Sequence, residues 1–379
     1  MDLCMKVVIV PDKFKGSCPA DEVARAMARG WHSVCPGDDL VLLPVADGGE
    51  GTLEAMQAAC GGSLQHSAVS GPLGGTVEAD WLLLPDNTAV IEMARASGLA
   101  LVPAERRDVR RADTFGTGEL MRAALDAGCR RFIVGIGGSA TNDGGMGLLR
   151  ALGVRFLADG DELSAPGDLW RLTGIDVSGL DARLAACEVV LASDVGNPLC
   201  GPQGASAVFG PQKGATPDDV AHMEDCLARL AAVAALDGAD CANQPGAGAA
   251  GGLGWALMRY CGAAMRPGID VVLEAAHFDE ALSGAALLIT GEGSLDEQTA
   301  LGKVPVGVAR RAGGLPVAAI AGRLGPGYEA VHQQGIDCVM AIADGPLSPE
   351  QSMANAAALI EGATARLART LQTGRRMEH

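Results

Sequence analysis

The stretch that most constrains this chain is Phe132-Ile-Val-Gly-Ile-Gly-Gly-Ser-Ala-Thr-Asn-Asp-Gly-Gly-Met-Gly147. Ile133, Val134 and Ile136 form an uncharged apolar run, which predicts a buried strand. Glycines, hydroxyls, one amide and one carboxylate follow, and residues 148–152 read as the next helix. A strand, a glycine loop and a helix in that order aim backbone N–H groups and the positive end of the helix dipole at one spot. That suits an anion, most often a phosphate. Gly137 and Gly138 let the backbone approach a ligand without a Cβ in the way. Ser139, Thr141 and Asn142 add hydrogen-bonding groups, and Asp143 offers oxygen to a divalent metal. The alternative for this loop alone is an ordinary glycine-rich turn.

Similar chemistry recurs at other strand ends. Residues 6–10 read as a first strand, and the loop after it carries Asp12, Lys13, Lys15 and Ser17 where α/β sheets bind ligands. A strand over 41–45 ends in Ala46-Asp47-Gly48-Gly49-Glu50-Gly51-Thr52. Asp47 and Glu50 there suit a metal or sugar-like hydroxyls or, with equal weight, cap a helix over 53–60. Residues 76–84 and 89–93 read as antiparallel strands, and 92–98 as another charged, small-residue loop. Thr117 reads as the N-cap of the helix after it. Asp194 stands immediately past a strand over 188–192, a frequent catalytic placement. Thr216-Pro217-Asp218 starts a helix of plain core packing. In the most glycine-dense stretch, Gly246, Gly248 and Gly251 form either an anion nest or a hinge. A strand over 286–289 ends in a loop with Glu292 and Asp296, and Lys303 follows. A helix over 350–371 closes the chain, and no structure is expected past residue 373.

Strands alternating with helices over 379 residues predict an α/β protein of two domains with mainly parallel sheets. A net charge of −17 argues against nucleic acid or an anionic membrane as partner, so an anionic substrate must be drawn by local cations. The eleven cysteines include no Cys-x-x-Cys pair, which fits reduced thiols in a cytoplasmic protein better than disulfides or zinc. No signal peptide and no bilayer-length apolar run is read. The P-loop pattern and the dinucleotide fingerprint are both missing. Residues alone thus reach an α/β enzyme of a phosphorylated ligand, with a kinase favoured.

Several motifs together resemble the type I glycerate kinases of bacteria. They are Pro11-Asp-x-Phe-Lys15, Ala46-Asp-Gly-Gly-Glu-Gly-Thr52, Gly135-Ile-Gly-Gly-Ser-Ala-Thr-Asn-Asp-Gly-Gly145, Ser193-Asp-Val195 with Asn197-Pro198-Leu199, Phe209-Gly-Pro-Gln-Lys-Gly214, Pro245-Gly-Ala-Gly-Ala-Ala-Gly-Gly252, and Thr290-Gly-Glu-Gly293 with Asp296 and Gly302-Lys303. They occur in the family's order over nearly the whole chain. Many members carry Ser in place of Lys13, whereas Lys15 matches the pattern.

The resemblance implies phosphorylation of D-glycerate by ATP with Mg²⁺, giving 2-phosphoglycerate more often than 3-phosphoglycerate. It also implies two α/β domains, one of them split into 5–70 and 285–371, the other inserted as 71–284, with the active site in the interdomain cleft. A phosphotransferase needs a base, cations on the transferring group and a metal. Asp194 is the chosen base, and Lys15 and Lys303 are the cations for phosphate or carboxylate. Asp12, Lys13, Ser17, Asp47, Glu50, Gly137, Gly138, Ser139, Thr141, Asn142, Gly246, Gly248 and Gly251 are the candidates for substrate and nucleotide. Asp143, Glu292 and Asp296 are the candidates for metal. Two other classes share a two-domain α/β plan: a 2-hydroxy-acid dehydrogenase and a non-catalytic two-lobed solute-binding protein. A homo-oligomer is left open.

Overall fold

The computed structural model describes residues 4–238 and 240–377. Its strands are β1 (Lys6–Pro11), β2 (Asp39–Leu42), β3 (Ser63–Ser70), β4 (Thr76–Leu83), β5 (Thr88–Glu92), β6 (Arg131–Gly135), β7 (Arg155–Ala158), β8 (Asp161–Glu162), β9 (Gly174–Asp176), β10 (Glu188–Ala192), β11 (Ala264–Arg266), β12 (Leu287–Leu295), β13 (Val317–Leu324) and β14 (Cys338–Ala341). The chain divides into two compact units.

The first unit comprises the described residues of Met1–Asp47, Glu54–Gly61 and Ile269–His379. Its sheet runs β14-β13-β12-β1-β2, and every pairing is parallel. Beyond Lys6, all of β1 is buried, as the near-continuous apolar run of a two-sided parallel strand requires. The helix Ala20–His32 carries Asp21 and Glu22 in its first turn, where they complement the helix dipole. Its Val23, Met27 and Trp31 share one core with Leu359, Ile360 and Leu367 of the closing helix. The Trp31 indole donates to Asp38 Oδ2 at 2.9 Å, so the polar edge of this buried ring is satisfied.

The second unit is Gly48–Leu53 with Gly62–Gly268. Its main sheet runs β11-β10-β6-β5-β4-β3. The four strands from β11 to β5 are parallel, and β4 and β3 are antiparallel. A small antiparallel sheet, β8-β7-β9, accompanies it. The helix Pro217–Ala234 begins with a capping box between Thr216 and Asp219 and places Met223, Leu227 and Leu230 in the core beside Phe132, Phe156 and Trp255.

Several expectations change. Strand β3 pairs with β4 along its length and lies in the second unit, which takes in Gly48–Leu53 and resumes at Gly62. The return crossing is at Ile269, well before residue 285. Thr290 to Leu295, read as a loop, continue β12, because β13 pairs with it as far as Leu295. Thr117 lies inside the helix Phe115–Asp126, and its hydroxyl meets the Ser97 hydroxyl at 2.8 Å. The closing helix is preceded by a separate one, Pro349–Ala354, capped by Ser348. It then runs from Ala356 to Met377, so the expected loss of structure past residue 373 does not occur there. Residues 378 and 379 lie outside the described residues. No helix among the described residues is long and apolar enough to cross a membrane.

Candidate active site

In the first unit, the chemistry gathers at the carboxyl ends of β1 and β12. The Asp12 amide donates to the Gly291 carbonyl at 2.8 Å, which continues the β1–β12 pairing and sets Asp12 beside the strand that carries Glu292. Asp12 and Glu292 are both buried. Burial pushes Asp12 up to about 7, with Asp47 adding to the rise while Lys13 and Lys303 oppose it. Glu292 is likewise pushed up to about 7 by burial. The Thr299 hydroxyl and Lys303 pull it back toward the charged form, and Asp12 and Asp296 act the other way.

Asp296 organises its own turn. Its Oδ1 accepts from the Gln298 amide at 3.0 Å and the Thr299 amide at 3.3 Å, and the Lys303 ammonium stands 3.9 Å away. Asp12, Glu292, Asp296 and Lys303 therefore form one electrostatically coupled group of acids with a cation beside it. Lys15 is exposed and Lys13 half-buried on the loop after β1. Ser17 is half-buried, and its hydroxyl donates to the Phe14 carbonyl at 2.9 Å within that same turn. Asp47 is half-buried at the edge of this unit.

In the second unit, the strand-end loop is built differently from the sequence expectation. Asp143 is fully buried. Its Oδ2 accepts from the Thr114 amide at 2.9 Å, the Thr114 hydroxyl at 2.7 Å and the Gly147 amide at 3.0 Å, while Oδ1 accepts from the Gly145 amide at 3.0 Å. Burial raises its pKa, and these donors pull it back toward the carboxylate. The anion at the start of the six-residue helix Met146–Ala151 is thus the chain's own Asp143, with no open oxygen for a metal. Thr141 and Asn142 are buried as well, and the Asn142 amide donates to the Ser206 hydroxyl at 2.9 Å. They build the loop and present nothing outward. Gly137 and Gly138 remain exposed, followed by a nearly buried Ser139.

The glycine-dense stretch is also an internal part. Gly246, Gly248 and Gly251 are buried, and the Gly248 amide donates to the Asn197 carbonyl at 2.9 Å. Gly251 has φ +70°, and a Cβ there would lie 2.1 Å from the Thr141 carbonyl oxygen. Its own carbonyl accepts from the Gly144 amide at 2.9 Å. Glycine is required at Gly251 because two backbone segments touch. Asp194 is exposed just beyond β10, and Asn197 ties its loop down by donating to the Gln203 carbonyl at 2.8 Å. Glu50 is exposed too.

Three groups escaped the sequence reading. Thr299 positions Glu292 through a 2.6 Å hydrogen bond. Glu92, buried at the end of β5, accepts from the Leu53 amide at 2.8 Å and from Arg95 Nε at 3.1 Å. Lys213 is buried and donates to the Thr141 carbonyl at 2.6 Å. A lone charge directly after an all-apolar strand was the available signal for Glu92, and a lysine amid glycine and proline was the signal for Lys213.

Residues 7–372 match the model of the glycerate kinase family. The chain belongs to the glycerate kinase family. It is 48% identical to a glycerate kinase of Bacillus subtilis, over 98% of this chain and 99% of that one. It is 46% identical to a glycerate 2-kinase of Escherichia coli, again over 98% and 99%. A crystal structure described as glycerate kinase 2 from Salmonella typhimurium superposes with a TM-score of 0.90 at 46% identity, covering 99% of this chain and 100% of that one. The chain is accordingly a phosphotransferase acting on an alcohol group. Membership in this family decides against the dehydrogenase and the solute-binding alternatives.

Proposed function

We propose that the protein transfers the terminal phosphoryl group of ATP to D-glycerate and releases 2-phosphoglycerate, with Mg²⁺ as the metal. Agreement along nearly the whole chain with relatives named glycerate kinase carries this reading, and the relative named glycerate 2-kinase favours the 2-phosphate. The coupled acids and lysine of the first unit supply the chemistry that such a transfer needs.

Among the described residues, no three His, Cys, Asp or Glu side chains stand together closely enough to hold an ion by themselves. The donors nonetheless suit Mg²⁺, which is usually held by one or two carboxylates together with substrate phosphates. Glu292 and Asp296 are the carboxylates assigned to it. When bound, Mg²⁺ neutralises charge developing on the phosphates. Lys15 and Lys303 are the cations for phosphate or for the glycerate carboxylate, local attraction that a chain of net charge −17 requires. Asp12, Lys13 and Asp47 line the strand ends as partners of substrate. In the second unit, the exposed backbone of Gly137 and Gly138 is assigned to phosphate, and Asp194 accepts the hydroxyl proton.

The test is ADP release from ATP. It should require D-glycerate and Mg²⁺ together, and L-glycerate or hydroxypyruvate should be poorer, because a misplaced or missing hydroxyl leaves site groups unpaired. No ADP formation by a folded, metal-supplemented sample would overturn the proposal.

A further inference from the structure

The motif Phe209-Gly-Pro-Gln-Lys-Gly214 has no part in the reaction described so far, yet it carries one of the largest fully buried side chains of the molecule, Lys213. A lysine seldom goes inside without a strong reason, because removing an ammonium from water costs several kcal/mol. Burial indeed pushes Lys213 down to about 7, against the pull of Asp143. Its hydrogen bond goes to the Thr141 carbonyl at 2.6 Å, short as expected for a charged donor.

That carbonyl is a junction. It belongs to the strand-end loop, Gly251 of a second segment presses against it, and Lys213 of a third segment holds it. Thr141 does not fix the loop from its own side chain, and Asn142 does so only through its amide on Ser206. Thr141 Oγ1 and Asn142 Oδ1 are buried with no hydrogen-bond partner among the described residues. The loop is instead fixed through its backbone, by Lys213 on Thr141, by Asp143 on the amides of Gly145 and Gly147, and by Leu99 and Ser97 on Gly138 and Ala140. Lys213 and Asp143 thus hold two points of one loop, both buried, with Asp143 favouring the charged form of Lys213.

We propose that Lys213 is a positioning residue for phosphoryl transfer: by holding the Thr141 carbonyl it sets the backbone of Gly137 and Gly138 that receives phosphate. This rests on the assignment of Gly137 and Gly138 to phosphate. The contact at Thr141 lies four residues beyond the first exposed glycine and acts beside the Leu99 amide, which donates to the Gly138 carbonyl at 2.8 Å.

Three variants separate the outcomes. Lys213→Met keeps the shape but removes the charge, leaving Asp143 buried without a cation, so it should lower the melting temperature as well as activity. Lys213→Met/Asp143→Asn removes both charges and should regain part of the melting temperature, the rest being lost where the amide NH2 meets N–H donors that the carboxylate accepted from. With Asp143→Asn alone as the control, it should still show kcat/KM for ATP reduced by ~10–100-fold, the cost of a misplaced binding group, with KM for D-glycerate little changed. Full recovery of kcat/KM for ATP in the double variant would overturn the proposal and leave Lys213 a structural counter-charge. Gly138→Ala, at φ +74° with only the Ala94 side chain nearby, disturbs the loop directly. If Gly138→Ala raises KM for ATP and the double variant does not, Lys213 is excluded while the loop assignment stands. If neither moves it, the loop assignment falls and the Lys213 proposal with it.

Discussion

The Thr299 hydroxyl donates to Glu292 Oε1 across 2.6 Å, and both side chains are buried beside Asp12 at the end of the central strands of the first unit. The bond favours the charged form of Glu292, and burial outweighs it. Glu292 and Asp12 both end near 7, far above their usual 4.5 and 3.8.

A pH dependence follows from the sign of these shifts. A carboxyl whose folded pKa exceeds its unfolded value holds its proton more tightly in the folded protein. Its contribution to stability is complete below the unfolded pKa, lost as pH climbs from about 4.5 to about 7, and constant above that. Glu292→Gln cannot ionise and keeps an oxygen for Thr299. Scanning calorimetry should find its melting temperature ~2–4 °C above wild type at pH 8, a shift of the order of 1 kcal/mol, with the two proteins converging toward pH 4.5. A difference that does not change with pH would mean that Glu292 is not penalised by burial.

Close backbone contact at Gly251 makes a second prediction. Gly284 has φ +74° and open space for 4 Å around the position a Cβ would take, whereas Gly251 has φ +70° and the Thr141 oxygen at 2.1 Å. Gly284→Ala should cost ~1–2 kcal/mol, from left-handed backbone alone. Gly251→Ala should cost more than ~3 kcal/mol, because neither backbone segment can give way. Chemical denaturation gives both values, and equal costs would show that the loops are not in contact.

The base assignment is tested by Asp194→Asn. An exposed side chain contributes little to stability, so the melting temperature should change by no more than ~0.5 kcal/mol of stability would produce. An amide cannot accept a proton, and kcat should fall by ~10²–10⁴-fold, with ATP affinity nearly unchanged. Wild-type turnover in Asp194→Asn would remove Asp194 from the role, and Asp296 and Glu292 would be mutated next.

Much of the fold was legible because buried parallel strands are uninterrupted apolar runs. The strands read over 6–10 and 188–192 appear as β1 and β10. Thr216-Pro217 marks its helix start because the cap and the fixed proline dihedral are local chemistry. Strand β3 escapes such a reading because Ser63–Ser70 is polar and largely exposed at the sheet edge, so no apolar pattern marks it, and the unit boundary moves with it. The site was read less well, since composition does not say which way a loop faces. Thr141, Asn142 and Asp143 have the residue types of a ligand loop, but all three are buried, with Asp143 accepting from the loop's own amides and Asn142 donating to Ser206. Gly248 and Gly251 serve contact between backbones and Gly246 makes room for the Met265 side chain, uses that glycine content alone cannot separate from anion binding.

The most direct test of the central claim is phosphorus NMR of the product formed from ATP, Mg²⁺ and D-glycerate. A phosphate ester at the secondary hydroxyl is coupled to one carbon-bound hydrogen and gives a doublet, whereas an ester at the terminal hydroxyl is coupled to two and gives a triplet. The account predicts a new doublet growing in step with the resonances of ADP. A triplet would contradict the 2-phosphate, and an ATP spectrum unchanged over time would contradict the phosphoryl transfer itself.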